Sequence, residues 1–184
     1  MNLWTSILNR VTASPTVQVI AGSLLAPNKV LCFKLLWMAK NDQHERQAFL
    51  NGKPWNNQID RRNTQIMKKI VAQYGWPGEK QVGQLGAQAA WLLVQHADHD
   101  RAFQKQCHSL LAEAVKRNDA QAKHLAYLTD RVCVGDGVPQ IYGTQFEYPI
   151  ADQEHVDERR AAVGLSSLAE YLAESNKFRR MIKK

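Results

Sequence analysis

Residues 84–116 read QLGAQAAWLLVQH-ADHD-RAFQKQCHSLLAEAVK, and this stretch decides the fold. Leu85, Ala89, Leu92, Leu93 and His96 recur at the spacing that gathers side chains on one face of a helix. After the short polar break Ala97–Asp100, the same period returns in Phe103, Cys107, Leu110, Leu111 and Ala114. Asp98 or Asp100 supplies the carboxylate that caps the second helix, Arg101 to Lys116. Two consecutive amphipathic helices joined by so short a break point to a helical domain.

Working outward, the helical period continues in both directions. Leu35 to Leu50 predicts an amphipathic helix that ends near Gly52-Lys53-Pro54. Asn63 to Tyr74 predicts another, with Ile66, Ile70, Val71 and Tyr74 in step, Gly75 as its stop and Pro77 beyond. Asn118 or Asp119 starts a further helix that buries Leu125, Leu128 and Val132. The period then changes. Val132 to Pro139 reads as a turn, and Gln140 to Tyr148 alternates as an extended segment does. His155 to Val163 is a short helix stopped by Gly164, and Ser167 with Glu170 forms a capping box for a last helix. The expected architecture is mainly α. It is a single compact helical domain over residues 35–184, with one short extended or β segment near residues 132–148. Residues 1–34 form an amino-terminal extension.

Composition narrows the class. The chain has 184 residues, 45% apolar and 22% charged, ordinary for a globular protein. Neither Val17–Ala26 nor Val30–Met38 reaches the length of a membrane span. Arg10 before Val17–Leu25 has the outline of a weak leader, but Gln18, Gly22 and Ser23 interrupt it. Cys32, Cys107 and Cys133 are odd in number and form no CxxC pair, which suits a reducing compartment and a cytoplasmic location. The net charge of +7 is partly local, since Lys177, Arg179, Arg180, Lys183 and Lys184 make a basic carboxy-terminal tail. No Lys/Arg run is interleaved with aromatics, so nucleic acid is not expected as a partner. A small polar ligand or a protein partner is.

Three groups of residues carry chemistry. His96 ends an apolar stripe beside Asp98, His99 and Asp100. A carboxylate on one imidazole nitrogen would fix the tautomer and leave the other nitrogen for proton transfer, with Asp98 or Asp130 in that orienting role. A metal set of His96, Asp98 and Asp100 is the alternative, but aspartates before a helix more often cap it, so no metal is assigned. Arg131, one helical turn after Tyr127, could clamp an anionic group, or form an ordinary salt bridge. Gln140, Tyr142 and Gln145, around Gly143 and Thr144, offer uncharged donors and acceptors for a polar ligand, or for a buried structural network.

The runs W-L-L-V-Q-H-A-D-H-D (91–100), Y-L-T-D-R-V (127–132), G-V-P-Q-I-Y-G-T-Q-F (137–146) and V-D-E-R-R-A-A-V-G-L (156–165) resemble a bacterial family known as a domain of unknown function. M-A-x-x-D-Q-x-x-R at Met38–Arg46 and N-T…G-W-P at Asn63–Pro77 resemble it too. The likeness covers about residues 35–173. It implies the boundaries and the candidate residues, with His99 at a variable position, but no reaction and no cofactor. The expected function is therefore an enzyme with His96, Asp98 and Asp130 as catalytic residues. Arg131, Gln140, Tyr142 and Gln145 would bind its substrate, for hydrolysis or group transfer on a small polar molecule. The alternative is a binding, immunity or regulatory protein whose His/Asp cluster is structural.

Overall fold

A computed structural model describes residues 19, 20 and 23–182, with side chains as far as Lys177. From Lys29 on, the described residues form α-helices in this order: α1 (Lys29–Leu50), α2 (Gln58–Tyr74), α3 (Glu79–Gln95), α4 (Arg101–Lys116), α5 (Ala122–Gly135), α6 (Val156–Ala162) and α7 (Leu168–Ile182). A single 3₁₀ turn, Gln153–His155, precedes α6. There is no strand among the described residues, only an isolated bridge between Gln140 and Ile150. The described residues divide into two compact units, one running as far as Ala120 and the other beginning at Gln121. No described helix is long and apolar enough to cross a membrane.

In the first unit, α1 starts ahead of the expected Leu35, because Asn28 caps it by accepting from the Leu31 N–H at 3.0 Å. Asp100, rather than Asp98, caps α4 and accepts from the Phe103 N–H at 3.2 Å. The α2 helix stops where Gly75 takes φ 71°, a left-handed value that glycine adopts without strain. The core lies where α3 meets α1, α2 and α4. Its side chains include Leu35 of α1, Met67 of α2, Leu93 of α3 and Leu111 of α4, all buried. Each such side chain contributes about 1.5–3 kcal/mol by leaving water. Gly86 permits the close α1–α3 crossing: a Cβ there would stand 3.1 Å from Cys32 Sγ. Cys107 is buried in the same core, which pushes its thiol pKa up to about 12 and leaves it an inert small hydrophobe.

The second unit is organised by a loop. The α5 helix runs on to Gly135, past the expected turn at Val132, and residues 136–152 then fold back through the Gln140–Ile150 bridge. The bridge is held by the Gln140 N–H on the Pro149 carbonyl at 3.0 Å and the Ala151 N–H on the Gln140 carbonyl at 2.8 Å. The expected capping box is present, with the Ser167 N–H donating to the Glu170 carboxylate at 3.1 Å. Arg160, wholly buried, donates to the carbonyls of Ser166 and Tyr142, both at 2.6 Å, and lies against the Tyr171 ring.

Candidate functional site: an aspartate–histidine–arginine cluster

His96 is the residue that closes α3, and its side chain is 3% exposed. Its Nδ1 lies 2.9 Å from Oδ2 of Asp42, a fully buried carboxylate on α1. One turn further along α1, Arg46 places its Nε 3.2 Å from that same oxygen and 3.0 Å from His96 Nδ1. Arg46 Nη2 then reaches Oδ1 of Asp60, in the first turn of α2, at 2.7 Å. Gln43 Nε2 completes the set on Asp42 Oδ2 at 2.9 Å. The Arg46 guanidinium also lies over the Trp55 ring, 4.7 Å from its centre, a cation–π contact that holds the fork in place. Three helices thus each place a titratable group in one cluster.

The environment pushes the two carboxyls in opposite directions. Burial works to raise the Asp42 pKa, but the charges and hydrogen bonds of His96 and Arg46 together outweigh it and hold the carboxyl below its usual range. At Asp60 burial prevails over the Arg46 and His96 charges, the negative Asp42 adds to it, and the pKa is raised. Asp42 is therefore the standing anion. Nδ1 of His96 thus stands between the Asp42 carboxylate, which accepts from it when it carries a proton, and the Arg46 Nε–H, which donates to it when it does not. Divergent environments for neighbouring carboxyls are how one site separates acid and base roles.

Ligand atoms of Asp42, Asp60 and His96 all lie within 4.8 Å of one another, so among the described residues this trio could hold a metal ion. It differs from the set His96, Asp98 and Asp100, which the sequence offered only as an alternative to no metal. Asp100 is committed to the Phe103 N–H and to Lys68 Nζ, the latter at 2.5 Å. In the trio the guanidinium of Arg46 already stands among the same ligand atoms, so the cluster carries its own cation.

The remaining predicted residues divide between two networks. The carboxylate that orients His96 is Asp42, which corrects the expectation of Asp98 or Asp130. Asp98 is exposed and accepts from Gln104 Nε2 at 3.1 Å. Gln104 in turn donates to the Val94 carbonyl at 3.2 Å, so this pair ties the end of α3 to α4. Asp130 belongs to the second unit and collects the N–H groups of Ile141, Tyr142 and Thr144 at 2.7, 2.9 and 2.8 Å, with the Thr144 hydroxyl at 2.8 Å. Gln140 Nε2 donates to the carbonyls of Gln145 and Tyr148, and its Oε1 accepts from the Gln145 N–H. Arg131 Nη1 donates to Gln145 Oε1 at 3.1 Å. Tyr142 joins through its backbone, donating to Asp130 and accepting from Arg160, and burial raises its phenol pKa. Asp130, Arg131, Gln140, Tyr142 and Gln145 are thus brought together, as the anchor of a loop.

The chain matches the model of a family of unknown function (DUF6624) over residues 31–178. It belongs to that family. No curated protein and no solved structure matches it. A family of unknown function was expected from the sequence, and the matched span holds every residue of both networks. Sequence reasoning missed Asp42, Arg46 and Asp60 as site residues. A signal existed for the first two: Asp42 continues the buried stripe of Leu31, Leu35, Met38 and Ala39, and Arg46 follows one turn later. A carboxylate on an apolar stripe needs a buried partner. Asp60 carried no such mark.

Proposed function

We propose that this protein is an enzyme of hydrolysis or group transfer on a small polar substrate, with His96 as its proton-transferring residue. The observation that carries the reading is the 2.9 Å contact between His96 Nδ1 and the buried Asp42 carboxylate. In this mechanism Nε2 of His96 takes a proton from the attacking water or hydroxyl as the new bond forms. It returns that proton to the leaving group as the old bond breaks. Asp42 keeps the ring oriented and stabilises the imidazolium between the two transfers. Arg46 is a positioning residue that holds Asp42 and Asp60 apart from each other's repulsion. The loop network around Asp130 has no part in the chemistry, since its hydrogen-bonding capacity goes into residues 140–148.

A second reading is favoured by one observation, the burial of both His96 and Asp42, which a purely structural tie also requires. The protein would then be a binding or regulatory partner. His96→Gln separates the two. Wild type and variant are assayed against chromogenic esters, phosphate esters, glycosides and amides, and melted in parallel. Turnover of one class that the variant loses, with melting within a few degrees of wild type, supports the enzyme. Absence of turnover in both, with a stability loss of roughly 1–3 kcal/mol in the variant, assigns the cluster to structure.

A further inference from the structure

The first acidic residue of this chain is Asp42. The preceding residues hold Arg10, Lys29, Lys34 and Lys40 and no carboxylate side chain at all, so this segment is cationic at neutral pH. The described part of it also exposes large apolar side chains. Leu25 is 91% exposed and Val30 81%, and Ile20, Leu24, Phe33 and Trp37 are exposed as well. Val30, Phe33 and Trp37 fall three and four apart on α1 and so share one face. Phe33 and Trp37 stack with ring centres 6.3 Å apart, and Lys40 Nζ lies 4.9 Å from the centre of the Trp37 ring. Lys29 and Lys34, both exposed, flank the stripe.

Isolated exposed apolar residues need no explanation, but a contiguous set rimmed by one sign of charge does. A second copy of the chain is a poor occupant in a face-to-face contact, because each copy would set its exposed Lys29 and Lys34 against those of the other. A surface that is apolar below and anionic above fits on both counts. We propose that this face docks the protein on an anionic lipid surface. Val30, Phe33, Trp37 and Leu25 enter the headgroup boundary, and Lys29 and Lys34 pair with lipid phosphates. The helix lies along the surface, in keeping with its being too polar to cross a membrane.

The test uses the full chain and sedimentation with vesicles of phosphatidylcholine alone or mixed equally with phosphatidylglycerol. Leu25→Asp with Val30→Asp is the informative variant, since both positions are exposed enough for the fold to tolerate a charge. Wild type is expected to partition onto the mixed vesicles at least about tenfold more strongly than onto neutral ones, less so at high salt, with the variant reduced to the neutral level. Equal partitioning onto both vesicle types overturns the proposal. So does undiminished binding by the variant, which would transfer the role to the basic tail. A concentration-dependent dimer that the variant dissolves without lipid would make the face a contact between copies and overturns it too.

Discussion

Replacing Asp42 by Asn removes one negative charge from a site where three nitrogens converge on one oxygen. His96 Nδ1, Gln43 Nε2 and Arg46 Nε stand 2.9, 2.9 and 3.2 Å from Oδ2. A hydrogen bond to a charged group is worth about 1.5–3 kcal/mol net, and such terms do not add. The amide oxygen can still accept from part of the set, but the Arg46 guanidinium then faces a neutral partner on α1 and keeps only Asp60. Removing one member of a buried pair costs about 3–5 kcal/mol, and that is the expected loss at pH 7 by urea denaturation. The pH dependence is a second readout. A carboxyl whose folded pKa is depressed contributes stability that is fully present above its unfolded value, near 3.8, and is lost as pH falls through the folded pKa. Wild type should therefore lose stability below about pH 4 more steeply than the variant. Nitrogen NMR of the imidazole should show Nδ1 protonated in wild type, and the preference weakened in the variant. A loss below about 1 kcal/mol with unchanged acid behaviour would refute an ionised Asp42 at the centre of the cluster.

Asp60→Asn should behave in the opposite sense, because the raised pKa there means that ionisation costs stability as pH rises from the ordinary carboxyl range through the folded value. Its loss at pH 7 is expected to stay within about 1 kcal/mol by the same denaturation assay, and a loss equal to that of Asp42→Asn would contradict the opposed shifts. Asp130→Ala strands four donors and should cost about 3–5 kcal/mol, with hydrogen exchange at Ile141, Tyr142 and Thr144 faster by a hundredfold or more. His124 is buried and its pKa is pushed down to about 3, so it weakens the fold as pH falls from 6.5 towards that value. His124→Gln should flatten the stability profile over that range, and an unchanged profile would argue against the burial of a neutral ring.

What the sequence disclosed follows the range of each interaction. The bounds of α4 were legible because both its cap, Asp100, and its apolar period are local. The capping box at Ser167 was legible for the same reason. The start of α1 was read late because its cap, Asn28, precedes a helix with little amphipathic contrast. The kink in α3, where Gly83 takes φ 70°, left no trace in the apolar spacing. At the site, His96 was found because it ends an apolar stripe. Its partners were not, because Arg46 is 50 residues away along the chain and pairing over that distance has no periodic signature. The polar residues at 140–145 gather in one network, but residue type alone does not tell a ligand's donors from those of a loop.

The span of the cluster has a kinetic consequence. Its bonds join α1 to the end of α3 and to the start of α2, so they reward the chain only after long loops have closed. Contacts that form after the folding barrier show in the unfolding rate rather than in the folding rate. Asp42→Asn is therefore expected to speed unfolding more than it slows folding, which would make the Asp42–Arg46–His96 knot a determinant of the protein's lifetime as well as of the affinity between helices.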